Sequence, residues 1–393
     1  MISNNRRLKK NNPGDFFEKF CYICHNEIIS AHFSNPKLCD KCGELNYHKR
    51  SETADLNGRV ALVTGGRIKI GYETSLKLLR SGAFVIVTTR FPIDAAFRYS
   101  QENDFSNWQK RLKIYKIDFR NILQIELFAK FLSSNLPHLD IIINNAAQTI
   151  KRPTDYYEHL RPIESKIINE LPCDVRQLIY DPPIDFDFFQ LQKSIDFFDV
   201  GRIFNVKMLL PNFGNDGAAI SEHADEILQT GSIEKNSWNS KAHDVSAIEL
   251  LEVQLVNVTA PFLLNTHLKS LLLKSPFSER FIINVSAMEG KFNRIKNSFH
   301  PHTNMAKASL NMLTRTSGQE YKNDGIFMNS VDTGWITDEN PRAIQNNNQQ
   351  RKIVPPLDEI DGASRILDPI FHGLKTQKFS YGRFFKDYHL TNW

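Results

Sequence analysis

The chain has 393 residues, 41% hydrophobic and 24% charged, with a formal net charge of +5, which fits a folded protein of two or three domains and excludes a low-complexity polypeptide. Much of the positive charge lies near the N-terminus, so the balance is poor support for a nucleic-acid face. No apolar run of about 20 residues stands out, and the basic N-terminus has no apolar core behind it. The expectation is therefore a soluble, cytoplasmic protein without a secretory signal or membrane contact.

Residues 1–15, rich in Asn and Lys, predict a disordered tail. Residues 16–50 carry Cys21-x-x-Cys24 and Cys39-x-x-Cys42. In a reducing compartment this paired-knuckle spacing suits tetrahedral zinc better than disulfides. Four thiolates close the coordination shell, so the metal is expected to be structural. The second pair runs straight into Gly43-Glu44-Leu45-Asn46, as in a treble clef whose helix starts at the second knuckle. His25, His32 and His48 are read as surface histidines, and Cys173 as a free thiol.

A short polar linker leads into a domain spanning 57–393. Val60 to Val63 reads as a buried strand that breaks at Thr64-Gly65-Gly66, and a helix is predicted over 71–81 with Leu76 and Leu79 facing inward. Strand, glycine turn and helix together place backbone N–H groups and a positive helix end where a pyrophosphate can sit. Strand 83–89, a long connection containing Trp108, strand 111–118, a helix around 121–135 and strand 139–147 follow. This alternation predicts a parallel sheet with helices on both faces.

Residues 150–245 interrupt the rhythm with scattered prolines and clustered aromatics, predicting a functional lid, a mobile insertion or disorder. The alternation resumes with helix 246–273, strand 280–286, helix 303–322 and strand 325–334. The aromatic C-terminus is expected to pack down, and the residues shaping a substrate pocket are expected in the insertion and in a loop from Trp335 to Arg351.

The sum of these pieces resembles the short-chain dehydrogenase/reductase family over about 57–150 and 246–390. The matching elements occur in family order: Thr64-Gly65 and Gly71 of the glycine motif, Asp118, Asn144-Asn145-Ala146-Ala147, Asn257, Ser286, Lys307, and Val331-Asp332-Thr333-Gly334. The resemblance implies an α/β, Rossmann-type, doubly wound parallel sheet, here with a small N-terminal treble-clef-like zinc module. It also implies a dinucleotide cleft. Gly65, Gly66 and Gly71 would admit the phosphates, with Thr64, Arg67 and Ile70 in the same turn. Asp118 would accept from the adenine amino group, and Asn145, Ala146 and Ala147 would lie beneath the adenine ribose. Lys307, Thr333 and Gly334 complete the cofactor set. The second strand ends Thr88-Thr89-Arg90, without the acid that grips a ribose 2′-hydroxyl. Together with Arg67 and Lys69, Arg90 favours NADP(H) over NAD(H).

The chain departs from the family pattern at several points. Lys69 replaces the middle glycine of the motif. Four residues before Lys307, where the family carries a proton-donating tyrosine, stands Thr303. An aliphatic hydroxyl is a far poorer acid than a phenol, and threonine also suits a helix N-cap. The family's catalytic serine falls more naturally on Ala287, with Ser286 one place earlier. The expected catalytic set is Asn257, holding a water and bending its helix, with Ser286, Thr303 and Lys307; His300 and His302 are candidates for the missing acid. The implied function is hydride transfer between NADP(H) and an unidentified carbonyl or alcohol. The alternative is a catalytically silent NADP(H)-binding scaffold or sensor, with the zinc module or the insertion meeting protein partners. Family members are commonly homo-oligomers, and nucleic acid is the least favoured partner.

Overall fold

A computed structural model describes residues 19–152, 154–180, 236–293 and 295–393. The expectations for the tail 1–15 and for 181–235 lie outside these residues. The chain opens with a knuckle at Cys21–Cys24, the hairpin β1 (Ala31–His32) and β2 (Asn35–Cys39), and helix α1 (Asp40–Ser51). Cys39 is the N-cap of α1 and Cys42 lies in its first turn, so the helix does start at the second knuckle.

The main sheet contains β3 (Val60–Thr64), β4 (Phe84–Thr89), β5 (Leu112–Lys116), β6 (Ile141–Asn144), β7 (Ile179–Tyr180), β8 (Arg280–Ser286), β9 (Ile326–Asp332), β10 (Arg383–Lys386) and β11 (His389–Thr391). Its order is β11-β10-β9-β8-β6-β3-β4-β5-β7. Every pairing is parallel except that of β11 with β10. The run β5-β4-β3-β6-β8-β9 is the 3-2-1-4-5-6 order of a doubly wound dinucleotide-binding sheet, whose direction reverses between β3 and β6.

Alternation along the strands separates two cores. Ala61, Val63, Val85, Val87, Ile141 and Ile143 face α2 (Lys69–Arg80), α3 (Pro92–Ser100) and, toward the C-terminus, α8 (Glu359–Thr376). Leu62, Ile86, Ile142, Ile282 and Met328 face α4 (Ile122–Asn135), α5 (Ala247–His267) and α6 (Pro301–Asn323). Leu76 and Leu79 are buried as expected. On the second face a polar row crosses the sheet in register. Asn144 Nδ2 donates to Asn265 Oδ1 at 2.9 Å and Asn284 Oδ1 at 2.8 Å, and Asn284 Nδ2 donates to Thr314 Oγ1, which also accepts from Ser330 Oγ.

Four expectations need correction. The connection containing Trp108 holds α3, which begins with Pro92 and buries Ile93, Ala95, Ala96 and Tyr99 against the sheet. The predicted helix 246–273 is not continuous. It widens into a π-helical stretch at Leu255–Thr259 and is interrupted again after His267. Pro261 has no N–H to give the carbonyl of Asn257 four residues back, which accounts for the widening. Residues 154–180 are not a loose insertion, because Leu171, Val175 and Leu178 join the first core and β7 extends the sheet beside β5. The segment from Trp335 to Arg351 contains a further helix, α7 (Arg342–Gln350). Among the described residues α5 is long and apolar enough to cross a membrane, yet it packs on α4 and α6 with Glu252, Asn257 and Asn265 buried.

Candidate dinucleotide site and active site

The carboxyl ends of β3 and β6 form the reversal point, and Thr64 fastens them together. Its hydroxyl accepts from the backbone N–H groups of Asn145 and Ala146, each at 2.9 Å, and faces the Ile143 carbonyl at 3.3 Å. The Asn145 amide returns the contact, donating to the carbonyls of Thr64 at 3.0 Å and Gly65 at 3.1 Å. Gly71 opens α2 directly over this turn, where a Cβ would collide with the Gly65 carbonyl and the Asn145 amide. Thr64 and Asn145 therefore shape the cradle, while the N-terminus of α2 faces its mouth. Ala146 lies against Gly65, and Ala147 is exposed beside it. Ile70 packs on the first core.

Lys69 takes φ +56, the left-handed conformation that explains why glycine is usual there. A lysine in that conformation costs about 1–2 kcal/mol.

The cations around the turn differ in their commitments. Arg67 is buried and donates to Asp94 at 2.7 Å, a carboxylate it shares with Arg98. Neither Arg90 nor Lys69 forms an ion pair with another described residue. Arg90 lies over the rings of Tyr157 and Phe91, with its guanidinium carbon 4.5 and 5.4 Å from their centres. Asp118 is gripped by Arg120 through Nε at 3.0 and 3.1 Å and through a terminal nitrogen at 2.5 Å. Burial raises this carboxyl's pKa, but Arg120 outweighs that and holds it below the usual range. The Asp-x-Arg spacing is visible in the sequence and was the available sign of this pairing.

Asn257 lies in the π-helical stretch, so the helix is distorted where expected. Both ends of its amide are engaged by the loop after β6: Oδ1 accepts from Gln148 N at 2.7 Å, and Nδ2 donates to Gln148 O at 3.0 Å. Its direct action is to hold that loop.

Lys307 is buried on α6 and donates to the Val285 carbonyl at 2.8 Å, one residue before Ser286. Burial pushes its ammonium down to about 8, against the opposing pull of Glu289 and Asp332. The turn Met288–Gly290 presses on the same helix, and Asn311 donates to the Gly290 carbonyl at 3.3 Å. Thr303 lies one helical turn before Lys307. It is not the N-cap, which is His300 at φ +41. The hydroxyls of Ser286 and Thr303 are both buried and have no hydrogen-bond partner among the described residues.

The histidines divide. His300 stacks on Trp238 at 3.9 Å and donates through Nδ1 to the Trp238 carbonyl at 2.7 Å, and burial lowers its pKa. His302 is buried with Nε2 3.6 Å from Glu249, beyond hydrogen-bond length. Thr333 is buried at the end of β9, and Gly334 donates to Asp332 Oδ1 at 2.8 Å.

The four cysteine sulfurs lie within 4.8 Å of one another, and those of Cys24 and Cys39 are 3.8 Å apart. Tetrahedral Zn–S bonds of about 2.3 Å place sulfurs about 3.8 Å apart. Burial raises the thiols of Cys21 and Cys42, the crowding a divalent cation would reverse. The cluster can thus hold a metal ion. Among the described residues no histidine joins it: His32, expected at the surface, is buried and hydrogen-bonded through Nε2 to Glu44 at 3.1 Å.

Comparison with known proteins fits this geometry. The sequence profile described as short chain dehydrogenase matches residues 59–166, and that described as Enoyl-(Acyl carrier protein) reductase matches 222–356. A 2-dehydro-3-deoxy-D-gluconate 5-dehydrogenase of Pseudoalteromonas atlantica is 30% identical over 50% of this chain and 73% of its own length. The chain belongs to the short-chain dehydrogenase/reductase family. An uncharacterized protein, R665, of Acanthamoeba polyphaga mimivirus is 31% identical over 94% of this chain and 74% of its own. A short chain dehydrogenase from Burkholderia cenocepacia, solved in complex with NADP, shares the fold at a TM-score of 0.52 and 14% identity, covering 84% of this chain and 97% of its own. Family membership makes the chain an NAD(P)-dependent oxidoreductase in type, and the Rossmann sheet and cleft of this family member are those described above.

Proposed function

We propose that the protein is an NADP(H)-dependent oxidoreductase that interconverts a carbonyl compound and its alcohol, with Lys307 as the source of the proton. The observation that carries this is the buried Lys307 ammonium, bonded to the carbonyl of Val285 just before Ser286 and lowered to about 8, with Thr303 one turn away on the same helix. When bound, the dinucleotide supplies the hydride in reduction and accepts it in oxidation. Ser286 and Thr303 offer hydroxyl donors to a substrate oxygen. Lys307 gives a proton to that oxygen as negative charge develops there, and the amine left behind is reprotonated from water. A lysine of pKa about 8 is a competent acid near neutrality, which a threonine alone is not.

NADP(H) is the preferred dinucleotide. Arg90 follows β4 without an ion-pair partner among the described residues, and Lys69 lies in the glycine turn after the adjacent strand β3, so a 2′-phosphate can draw on a cation from each. Zinc is the proposed metal, on the donor set of four thiolates.

The test is NADPH oxidation across a broad panel of aldehydes and ketones. Lys307→Ala should lower turnover by about 10²–10⁴-fold, and reduction by the parent should fall as pH rises through about 8. Arg90→Ala should weaken NADPH binding and leave NADH binding unchanged. Intact NADPH binding with no turnover on any carbonyl would refute the catalytic reading.

A further inference from the structure

The knuckle residue between Cys21 and Cys24 reaches far from the metal site. Tyr22 is half-buried, and its hydroxyl accepts from the backbone N–H of Trp335 at 2.8 Å. The same turn is held from the other side, where Gly334 donates to Asp332 Oδ1 at 2.8 Å. Gly334 takes φ +85, and a Cβ there would lie 3.2 Å from the Tyr22 hydroxyl and 2.6 Å from Leu357. Lys386 joins the two supports, lying 3.4 Å from Asp332 and 5.6 Å from the Tyr22 ring centre.

Beyond Trp335 the chain makes an excursion containing α7 and returns at Pro356. There the module holds it again, since Asn35, the first residue of β2, donates to the Pro356 carbonyl at 2.7 Å. Both feet of the segment that leaves the cofactor edge of the sheet thus stand on the four-cysteine module. The module is itself fixed. Lys77 of α2 donates to the Arg50 carbonyl at the end of α1, Arg50 pairs with Asp358 and Asp361, and Lys49 with Asp368. Tyr22 is the part whose position depends on how the knuckle closes, because it sits between two metal-facing cysteines.

We infer that metal binding at the four cysteines is thermodynamically coupled to dinucleotide binding through Tyr22, which positions the Gly334–Trp335 turn at the cleft. The inference rests on the cofactor assignment above. Tyr22 is a positioning residue, and the coupling is reciprocal: what the metal does for dinucleotide affinity, the dinucleotide does for metal affinity.

The experiment uses the full chain loaded with zinc. Tyr22→Phe keeps the ring and deletes only the acceptor of the Trp335 N–H. It should retain one zinc per chain by elemental analysis, yet bind NADPH about 5- to 20-fold more weakly by fluorescence titration. Asn35→Asp keeps the Oδ1 that accepts from Lys37 N but loses the donor to Pro356, and it should weaken binding in the same direction. In the parent, saturating NADPH should tighten zinc by the factor by which zinc tightens NADPH, read by competition with a chromophoric chelator. Zinc-loaded Tyr22→Phe and Asn35→Asp proteins that bind NADPH as the parent does would overturn the coupling. Should Tyr22→Phe fail to fold, an unchanged Asn35→Asp together with NADPH-independent zinc affinity in the parent would overturn it equally. A zinc-loaded parent that binds neither NADPH nor NADH would overturn the cofactor assignment instead.

Discussion

The two halves of the cleft are built on different terms. Around the reversal point Thr64 serves three backbone groups, Asn145 two, and Asp118 is locked by Arg120, while only Asn144 Oδ1 and Thr88 Oγ1 stay buried without a partner among the described residues at the ends of β6 and β4. Around Lys307 the hydroxyls of Ser286 and Thr303 are buried without a partner among the described residues. Leaving a buried polar group unmatched costs about 1–3 kcal/mol. The glycine turn is thus preorganised by its own bonds, whereas the proposed catalytic half carries a cost that a bound substrate oxygen would relieve.

The largest expected effect lies in the matched half. Gly71→Ala drives a Cβ into the Gly65 carbonyl and the Asn145 amide. It should cost about 3 kcal/mol in urea denaturation and weaken NADPH at least roughly tenfold. An unaffected variant would show that the turn is not rigid. In the unmatched half the sign should reverse. Ser286→Ala with Thr303→Val removes both orphaned hydroxyls, and should raise stability by about 1–2 kcal/mol while NADPH oxidation falls. A loss of stability would mean that these hydroxyls are satisfied, and the contrast between the halves would collapse.

A third change tests a titrating contact at the start of α3, the helix whose Asp94 pairs with Arg67 of the glycine turn. Glu164 accepts from the Asp94 N–H at 2.8 Å at the start of α3, and burial pushes its carboxyl from 4.5 up to about 7. The folded value exceeds the unfolded one, so its stabilisation is complete below about 4.5 and is lost as pH rises through about 7. Glu164→Gln keeps an acceptor and never ionises. It should match the parent near pH 4.5 and exceed it at pH 8, as denaturation midpoints at the two pH values would show; equal midpoints at pH 8 would argue against a buried, neutralised carboxyl. The smallest effect belongs to Lys69→Gly, which relieves the left-handed lysine and should stabilise by about 0.5–1 kcal/mol. The same change removes a proposed phosphate partner, so NADPH affinity should fall as stability rises.

What was legible in the sequence follows the range of each interaction. The strands around the glycine turn were visible because runs such as Ile141–Ile143 are apolar on both faces, the mark of a strand buried between two layers. The cysteine knuckles and the order of the cofactor residues were equally visible, being local patterns. Helix α3 was missed because it begins with a proline and alternates aromatic, small and charged residues without a long apolar stripe. Strand β7, at two residues, offers no period to detect. Thr303 showed its unusual chemistry but not its helical place, since the cap falls on a left-handed histidine with no capping side chain. Arg67 was legible as a cation but not as the partner of Asp94, and the contact between Tyr22 and Trp335 joins residues too distant in sequence for any pattern to announce it.

The polar row of Asn144, Asn284 and Ser330 has a consequence for how the chain assembles. These residues stand opposite one another on three neighbouring strands, and Asn265 and Thr314 meet them from two helices. A strand that slid by one residue would carry its amide to the opposite face, among the side chains of α2 and α8, and strand its former partners. The row therefore acts as a proofreading mark: a misaligned strand loses its bonds to Asn265 and Thr314 at once, and the native alignment that keeps them is the one that opens the cleft.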